Sequence, residues 1–586
     1  MRFAVTVVAA GACGAASAAG PIDGTSIGVG DAEENRIALI ERLSPTVLTV
    51  MGAAGGGGGS GVLIDADGHA LTNFHVVQGV GPFLKCGRDD GELYDAVVVG
   101  LDPGGDVALI KLAPPAEGFR FPFVGFGDSD GVRVGDPALV MGNPFLFAED
   151  FTPSVSFGIV SGVHRYQYPD GSDVGLLEYA DCLQVDAAVN PGNSGGPLFD
   201  ADGRLVGING RVSFEKRVRI NSGVGYAISI NQIKKFMGQL RGGRLVDHAT
   251  IGATVRTERG GEIVFDRVRG GMPADRRGVR EGDTLVSFAG RPIRSVNQFQ
   301  NVLGIFAAGQ RVSLTFRPFT RAGEPPAKPR TVAVRLAARY GEKVLNEVAA
   351  NPPGQSPPAA EDAEPPAGLS FRFRPGFANY FANEQETGRV LALLEAAGFR
   401  TDRTGPWRIT GRSRRGESFA ATLADTAAGC ELGAVVGLQP LGPSAEPVDE
   451  PPGTGGLLTA LHHLRLLGTR QTDSFATFGY FGTADPDTDP LLGRLSADGP
   501  LDVLVAENRG TETRFYVSRR TGRLAAVETT LDDRADPCRI EFLGPSTGRP
   551  YGLADAWRVS YGPDLYAELK IEDIRTADAG AGEGSP

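Results

Sequence analysis

The chain of 586 residues is long enough to fold as several domains, each with its own core. Its apolar (41%) and charged (22%) fractions are those of globular protein, and a net charge of −12 argues against a nucleic-acid partner, which needs a basic face. In chain order, MRFAVTVVAAGACGAASAAG opens with Arg2 and a short apolar run, followed by Ala16-Ser17-Ala18. That is the pattern of a cleaved secretory signal, here residues 1–18, which places the mature chain outside the cytoplasm. Lipid anchoring at Cys13 is disfavoured, because Ala10 stands where lipoprotein processing expects a large aliphatic residue. No later stretch reaches the roughly 20 apolar residues of a membrane span.

Residues 35–245 consist of short, β-branched apolar runs separated by Gly, Asp and Asn turns, which predicts an all-β sandwich or barrel. The turn D-A-D-G recurs in SGVLIDADGHALTNF and GGPLFDADGRLVGIN, each time between strand-like runs, and NQIKKFMGQL (231–240) predicts a closing helix. Within the block, DAAVNPGNSGGPLFD (186–200) sets Ser194 between Asn193 and a glycine pair. Glycine loses more backbone entropy on folding than any other residue, so the cluster implies unusual dihedrals or close backbone approach. An ordinary turn between strands is the alternative, since these are also common turn residues.

A serine hydroxyl is a weak nucleophile until an oriented base takes its proton. Of six histidines, His75 ends a strand-like run in ALTNFHVVQGV, whereas His69 lies in the hairpin and is expected to face solvent. In LDPGGDVALIKL, Asp106 opens an apolar run; it suits either a strand-entry turn or a buried carboxylate that fixes an imidazole tautomer. Gly192-Asn193-Ser194-Gly195-Gly196 also satisfies G-x-S-x-G, but that elbow needs a helix after the serine and partners downstream. Here Pro197-Leu198-Phe199 leads into a hairpin, and the downstream histidines fall outside the β-rich block.

His75, Asp106 and Ser194 follow the chain order of chymotrypsin-like proteases. GSGVLIDADGHALTNFHVV, DPGGDVALIKL, VMGNPF, SVSFGIVSG, LQVDAAVNPGNSGGPLF and GVGYAIS, in that order across most of residues 40–240, resemble the HtrA/Deg family of envelope serine proteases. The resemblance implies two perpendicular six-stranded β-barrels with catalytic His75, Asp106 and Ser194 in the cleft between them. It implies an oxyanion hole in the loop of Gly192, Asn193 and Ser194, formed by the N–H groups of Gly192 and Ser194. Val189 and Val212 would wall a pocket for a small apolar side chain, or else belong to the barrel core; Arg211 has no counterpart. GGGGGSG (55–61) lacks the lysine of a phosphate loop and would replace a regulatory loop between the first strands. By the same resemblance the chain is an ATP-independent endopeptidase of misfolded or exposed polypeptides in the periplasm or cell envelope, a homotrimer, with no cofactor and no metal.

Residues 248–340, with HATIGATVRT, GGEIVFDRVRGGMPADRRGVREGDTLVSFAGRPI and the helical VNQFQNVL, resemble the PDZ domain that follows HtrA proteases. Such domains add a C-terminal peptide as an extra strand. By resemblance Ile251, Gly252 and Ala253 form the carboxylate loop and Val296 to Leu303 the facing helix. Residues 346–367, containing NPPGQSPPAAEDAEPP, predict a Pro/Ala-rich linker. Residues 368–576 predict an α+β domain: a helix over EQETGRVLALLEAAG, then an antiparallel meander through TRFYVS, RLAAVETTL, CRIEF, AWRVSYG and AELKIEDI. This order is similar to the curved sheets of envelope lipoprotein carriers, but no catalytic or ligating constellation marks it, and its role stays open. His462-His463 reads as structural, and residues 577–586 as a disordered tail. Cys86, Cys182, Cys430 and Cys538 allow three disulfide pairings, with Cys430–Cys538 the first to test. The competing function is a non-proteolytic envelope scaffold or holdase that binds through the PDZ and C-terminal domains.

Overall fold

The computed structural model describes residues 29–576, apart from 54–57, 147, 168–175, 213–222, 322, 351–363, 400–404, 442–448, 450, 509, 532–535, 546, 547 and 549. The expected signal sequence, Cys13, the first three residues of the glycine run, most of the linker and the tail lie outside the described residues.

Helix α1 (Val29–Leu43) leads into two closed barrels. The first contains β1 (Val47–Gly52), β2 (Gly58–Leu63), β3 (His69–Thr72), β4 (Phe83–Gly87), β5 (Leu93–Asp102) and β6 (Val107–Leu112), in the order β1-β2-β3-β6-β5-β4. The second contains β7 (Pro137–Gly142), β8 (Ser154–Gln167), β9 (Tyr179–Val185), β10 (Pro197–Phe199), β11 (Leu205–Val212) and β12 (Gly225–Ser229), in the order β10-β11-β12-β9-β8-β7. Side chains alternate between the two faces of a strand, and here both faces are buried. Leu48, Leu63, Ala70, Val98 and Ile110 fill the first barrel, while their neighbours Val47, Val62, Leu71, Val99 and Leu109 join Leu139, Met141, Phe199 and Ile208 in a core shared by both barrels. Runs such as VALI (107–110) are therefore apolar at consecutive positions.

The one-turn helix α2 (Phe74–Val77) carries His75. Helix α3 (Ile230–Arg241) closes the pair, sending Ile230, Ile233, Phe236 and Leu240 into the shared core. It lies so close to β5 that a Cβ on Gly100 would collide with the Leu240 backbone.

The next unit is a sheet ordered Ala253–Thr257, Ile263–Val268, Thr284–Phe288, Arg311–Arg317, Arg330–Arg335, with helices α4 (Pro273–Arg276) and α5 (Val296–Gly304). Ser295 caps α5, its hydroxyl accepting the Gln298 N–H at 3.0 Å. Helix α6 (Glu342–Ala350) then covers the first residues expected to be linker. EKVLNEVAA lacks proline and glycine, and the helix stops before Pro352.

The C-terminal domain is an eleven-stranded antiparallel sheet with α7 (Tyr380–Ala396) and α8 (Thr454–Gly468). The five expected meander strands are adjacent, from Thr511–Ser518 through Leu524–Thr530, Cys538–Leu543 and Ala556–Tyr561 to Asp564–Thr576. Every residue of α8 is buried, and the helix touches both the edge strand Val435–Pro440 and the more distant Leu524–Thr530, so the sheet wraps it. His463 bonds Thr513 Oγ1 at 2.7 Å inside this core.

Two expectations change. His69 is not solvent-facing: its side chain is 16% exposed and its Nδ1 lies 2.9 Å from Asp65 Oδ2, because β3 begins at this residue. Cys86, Cys182, Cys430 and Cys538, the four cysteines among the described residues, are buried free thiols. Cys86 and Cys182 belong to different barrels, and four strands separate those of Cys430 and Cys538 in the sheet order.

Candidate active site

Asp106 occupies the turn between β5 and β6 in left-handed backbone (φ 57), with its side chain fully buried. Aspartate is one of the few non-glycine residues that tolerate this region. Asn73 Nδ2 donates to the Asp106 carbonyl at 2.9 Å. The carboxylate accepts the His75 N–H at 3.0 Å and lies 2.8 Å from His75 Nδ1 through Oδ2. A carboxylate at Nδ1 fixes the tautomer that leaves Nε2 as the base. Burial pulls the imidazole pKa down, but the charge and hydrogen bond of Asp106 outweigh it, and the net shift is upward. The His75 side chain remains 38% exposed.

Ser194 arrives from the second barrel. Its carbonyl accepts the Ser60 N–H at 2.8 Å, and its hydroxyl donates to Gly210 O at 3.2 Å. The loop has left-handed turns at Gly192 (φ 100) and Gly195 (φ 85). A Cβ on Gly192 would lie 2.5 Å from Asn143 O, and one on Gly195 would collide with Ser60 O and Thr72 Oγ1. These two glycines are thus required by dihedral and by space. The N–H groups of Gly192 and Ser194 make no hydrogen bond among the described residues, whereas those of Asn193, Gly195 and Gly196 donate to Asn190, Asn209 and Asn193 carbonyls. Asn193 stands apart from the free pair: it is buried, and its amide reaches Ala188 O at 3.5 Å.

Val189 is fully buried in the core of the second barrel. Val212 pairs through its backbone with Gly225, and its side chain lies outside the described residues, as does that of Arg211. Ile251 is fully buried, Gly252 is left-handed (φ 71) and Ala253 starts an edge strand whose only sheet neighbour among the described residues is Ile263–Val268. Helix α5 packs beside that edge and also against β8 and β9.

Several contacts had no signature in the sequence. The Tyr179 hydroxyl donates to Asp106 Oδ2 across 73 positions of chain. Asn301 of α5 accepts the Asp181 N–H at 2.6 Å and donates to His164 O at 2.7 Å. His248 Nε2 lies 2.8 Å from Asp102 Oδ1. Asp130, His164 and Asp181 place ligating atoms within 4.8 Å of one another, the only such metal-compatible group among the described residues. Arg291, 3.7 Å from Asp130, already supplies positive charge there.

A buried carboxylate orienting a histidine on one barrel, and a serine whose loop offers unpaired amides on the other, are the features expected of a trypsin-like peptidase domain. Residues 59–208 match the family model of the trypsin-like peptidase domain, and residues 249–322 match that of the PDZ domain. Over 271 residues the chain is 35% identical to the periplasmic serine endoprotease DegP of Salmonella typhimurium, covering 44% of this chain and 53% of that protein. Over 268 residues it is 32% identical to a probable periplasmic serine endoprotease, DegP-like, of Chlamydia trachomatis, covering 44% and 50%. Among solved structures, the HtrA-type protease AlgW with tripeptide matches at 28% identity and a TM-score of 0.42, covering 52% of this chain and 97% of that one. The chain thus carries a trypsin-like peptidase domain followed by a PDZ domain, is similar to DegP and HtrA-type proteases across both, and spans about half the length of the curated relatives it matches.

Proposed function

We propose that the protein is an exported, ATP-independent serine endopeptidase that cleaves misfolded or exposed polypeptides in the cell envelope, its PDZ domain gripping their C-terminal ends. The observation that carries this reading is the buried Asp106 fixing His75 on the barrel facing Ser194 and its two unpaired amides. For attack, the Ser194 hydroxyl turns from Gly210 O to His75 Nε2 and gives up its proton as Oγ bonds to the substrate carbonyl. The N–H groups of Gly192 and Ser194 then receive the oxyanion, a contribution of about 2.7–4 kcal/mol per donor. His75, as imidazolium beside Asp106, returns the proton to the leaving amine, and water repeats the sequence to release the acyl group.

The open edge at Ala253–Thr257 suits strand addition, with Ile251, Gly252 and Ala253 at the terminal carboxylate and α5 as the facing wall. Export is supported by the periplasmic relatives, and no helix among the described residues is long and apolar enough to cross a membrane. The assembly proposed is a homotrimer, a part of the reading that a purely monomeric sedimentation profile would remove. The central test is fluorophosphonate labelling of the purified protein, with and without a hydrophobic C-terminal peptide. Labelling at Ser194 that rises with peptide is expected. Labelling indifferent to peptide would keep the protease and reduce the PDZ domain to a tether, and none at all would favour the scaffold.

A further inference from the structure

A carboxylate held out of water needs donors for its lone pairs. The Asp106 side chain is fully buried, and His75 supplies its own N–H and Nδ1 from the first barrel. The remaining side-chain donor to the carboxylate comes from the second barrel: the hydroxyl of Tyr179, on β9, meets Oδ2. Tyr179 is itself 3% exposed, within the core shared by the barrels.

The place of the phenol is prepared from the serine side. Gly210, whose carbonyl accepts the Ser194 hydroxyl, has no side chain, and a Cβ there would lie 2.7 Å from the Tyr179 hydroxyl and 2.8 Å from ring carbon Cε1. Tyr179 is also braced along β9. The Glu178 N–H donates to Gly104 O at 2.9 Å, and the Glu178 carboxylate takes Tyr166 and Arg339. On the other side, the Asp181 N–H is held by Asn301.

We propose that Tyr179 is a positioning residue of the catalytic apparatus, its hydroxyl holding Asp106 Oδ2 so that the carboxylate faces His75 Nδ1 and the two barrels keep one register across the cleft. The proposal rests on the peptidase reading above. The phenol also draws on the carboxylate's charge, so its removal strengthens the pull of Asp106 on the imidazolium proton.

The test is Tyr179→Phe in the full mature chain, which keeps the ring in the core and removes one donor. With a chromogenic peptide substrate, kcat should fall roughly tenfold, as expected for one hydrogen bond to a charged group, with KM unchanged. The acid limb of the kcat/KM profile should move to higher pH, and the melting temperature should change little. Wild-type kcat with an unmoved acid limb overturns the proposal. A lower kcat with an unmoved limb and a lowered melting temperature also overturns it, making Tyr179 a packing residue. Fluorophosphonate labelling of the unmutated chain separates the two levels: if it fails, the peptidase reading fails, whereas if it succeeds the variant judges Tyr179 alone.

Discussion

Two histidine–aspartate pairs share the turn from Asp102 to Asp106, and they differ in what surrounds them. In both, the aspartate side chain is fully buried; His75 is 38% exposed and His248 only 3%. In both, burial lowers the imidazole pKa and the neighbouring aspartate more than restores it. His75 keeps part of its ring open to solvent on one barrel, and Ser194 precedes a strand of the other. His248 instead packs against Phe236 with ring centroids 5.0 Å apart, while Asp102 caps the Gly105 N–H at 2.8 Å. The glycines of LDPGGDVALIKL make room for this second pair: a Cβ on Gly104 would lie 2.9 Å from the His248 ring, and one on Gly105 would strike Asp102. One pair thus stays open to solvent, as the proposed proton transfer requires, and the other ties the start of the PDZ domain to the turn that bears Asp106. On the proposed reading, access more than pair identity decides which imidazole does chemistry.

The largest expected effects fall on the exposed pair and its serine. Ser194→Ala should lower kcat by about 10⁶, and Asp106→Asn by about 10⁴ through the wrong histidine tautomer, with melting temperatures near wild type. Steady-state hydrolysis and single-turnover labelling measure both. His248→Ala should act through stability instead, since it leaves the Asp102 carboxylate buried without its partner. A loss of about 3–5 kcal/mol is typical for breaking such a pair. Denaturant titration reads it. A triad-sized loss of activity at unchanged stability would dissolve the distinction drawn between the pairs.

This contrast also marks how far the sequence could be read. The Ser194 loop was legible because glycine is the residue that meets positive φ and close backbone approach, and the structure uses Gly192 and Gly195 for both. The helices α3, α5 and α7 were legible because apolar spacing is a local signal. Long-range partners leave no such mark. Asp102 and His248 are 146 positions apart and meet only once the barrels and the PDZ domain dock. Position on a hairpin made His69 look solvent-facing, although its partner Asp65 lies four residues away in that hairpin; only the fold brings Arg241 to the same carboxylate. The strands from Trp407 to Pro440 escaped for another reason: sequences such as WRITGRS bury alternate residues only, with arginine and threonine between them, so no continuous apolar run announces them.

The smallest effect, and the sharpest comparison, is in pH dependence. A histidine whose folded pKa lies above its unfolded value binds its proton more tightly in the native state. Its contribution to stability is fully present below the ordinary imidazole value of 6.5 and is lost as pH rises through the raised folded value. Both histidines have this sign, but the His75 ring is more than a third exposed and solvent screens its attraction to Asp106. Urea midpoints measured from about pH 5.5 to about pH 9 should therefore show a gap between wild type and His248→Gln that narrows as pH climbs past 6.5. The gap for His75→Gln should be smaller and flatter across the same range. If His75→Gln gives the steeper profile, then burial is not what makes His248 the structural member of the two, and the strut between the PDZ domain and the Asp102–Asp106 turn would have to be sought in Asn301 and Arg339 instead.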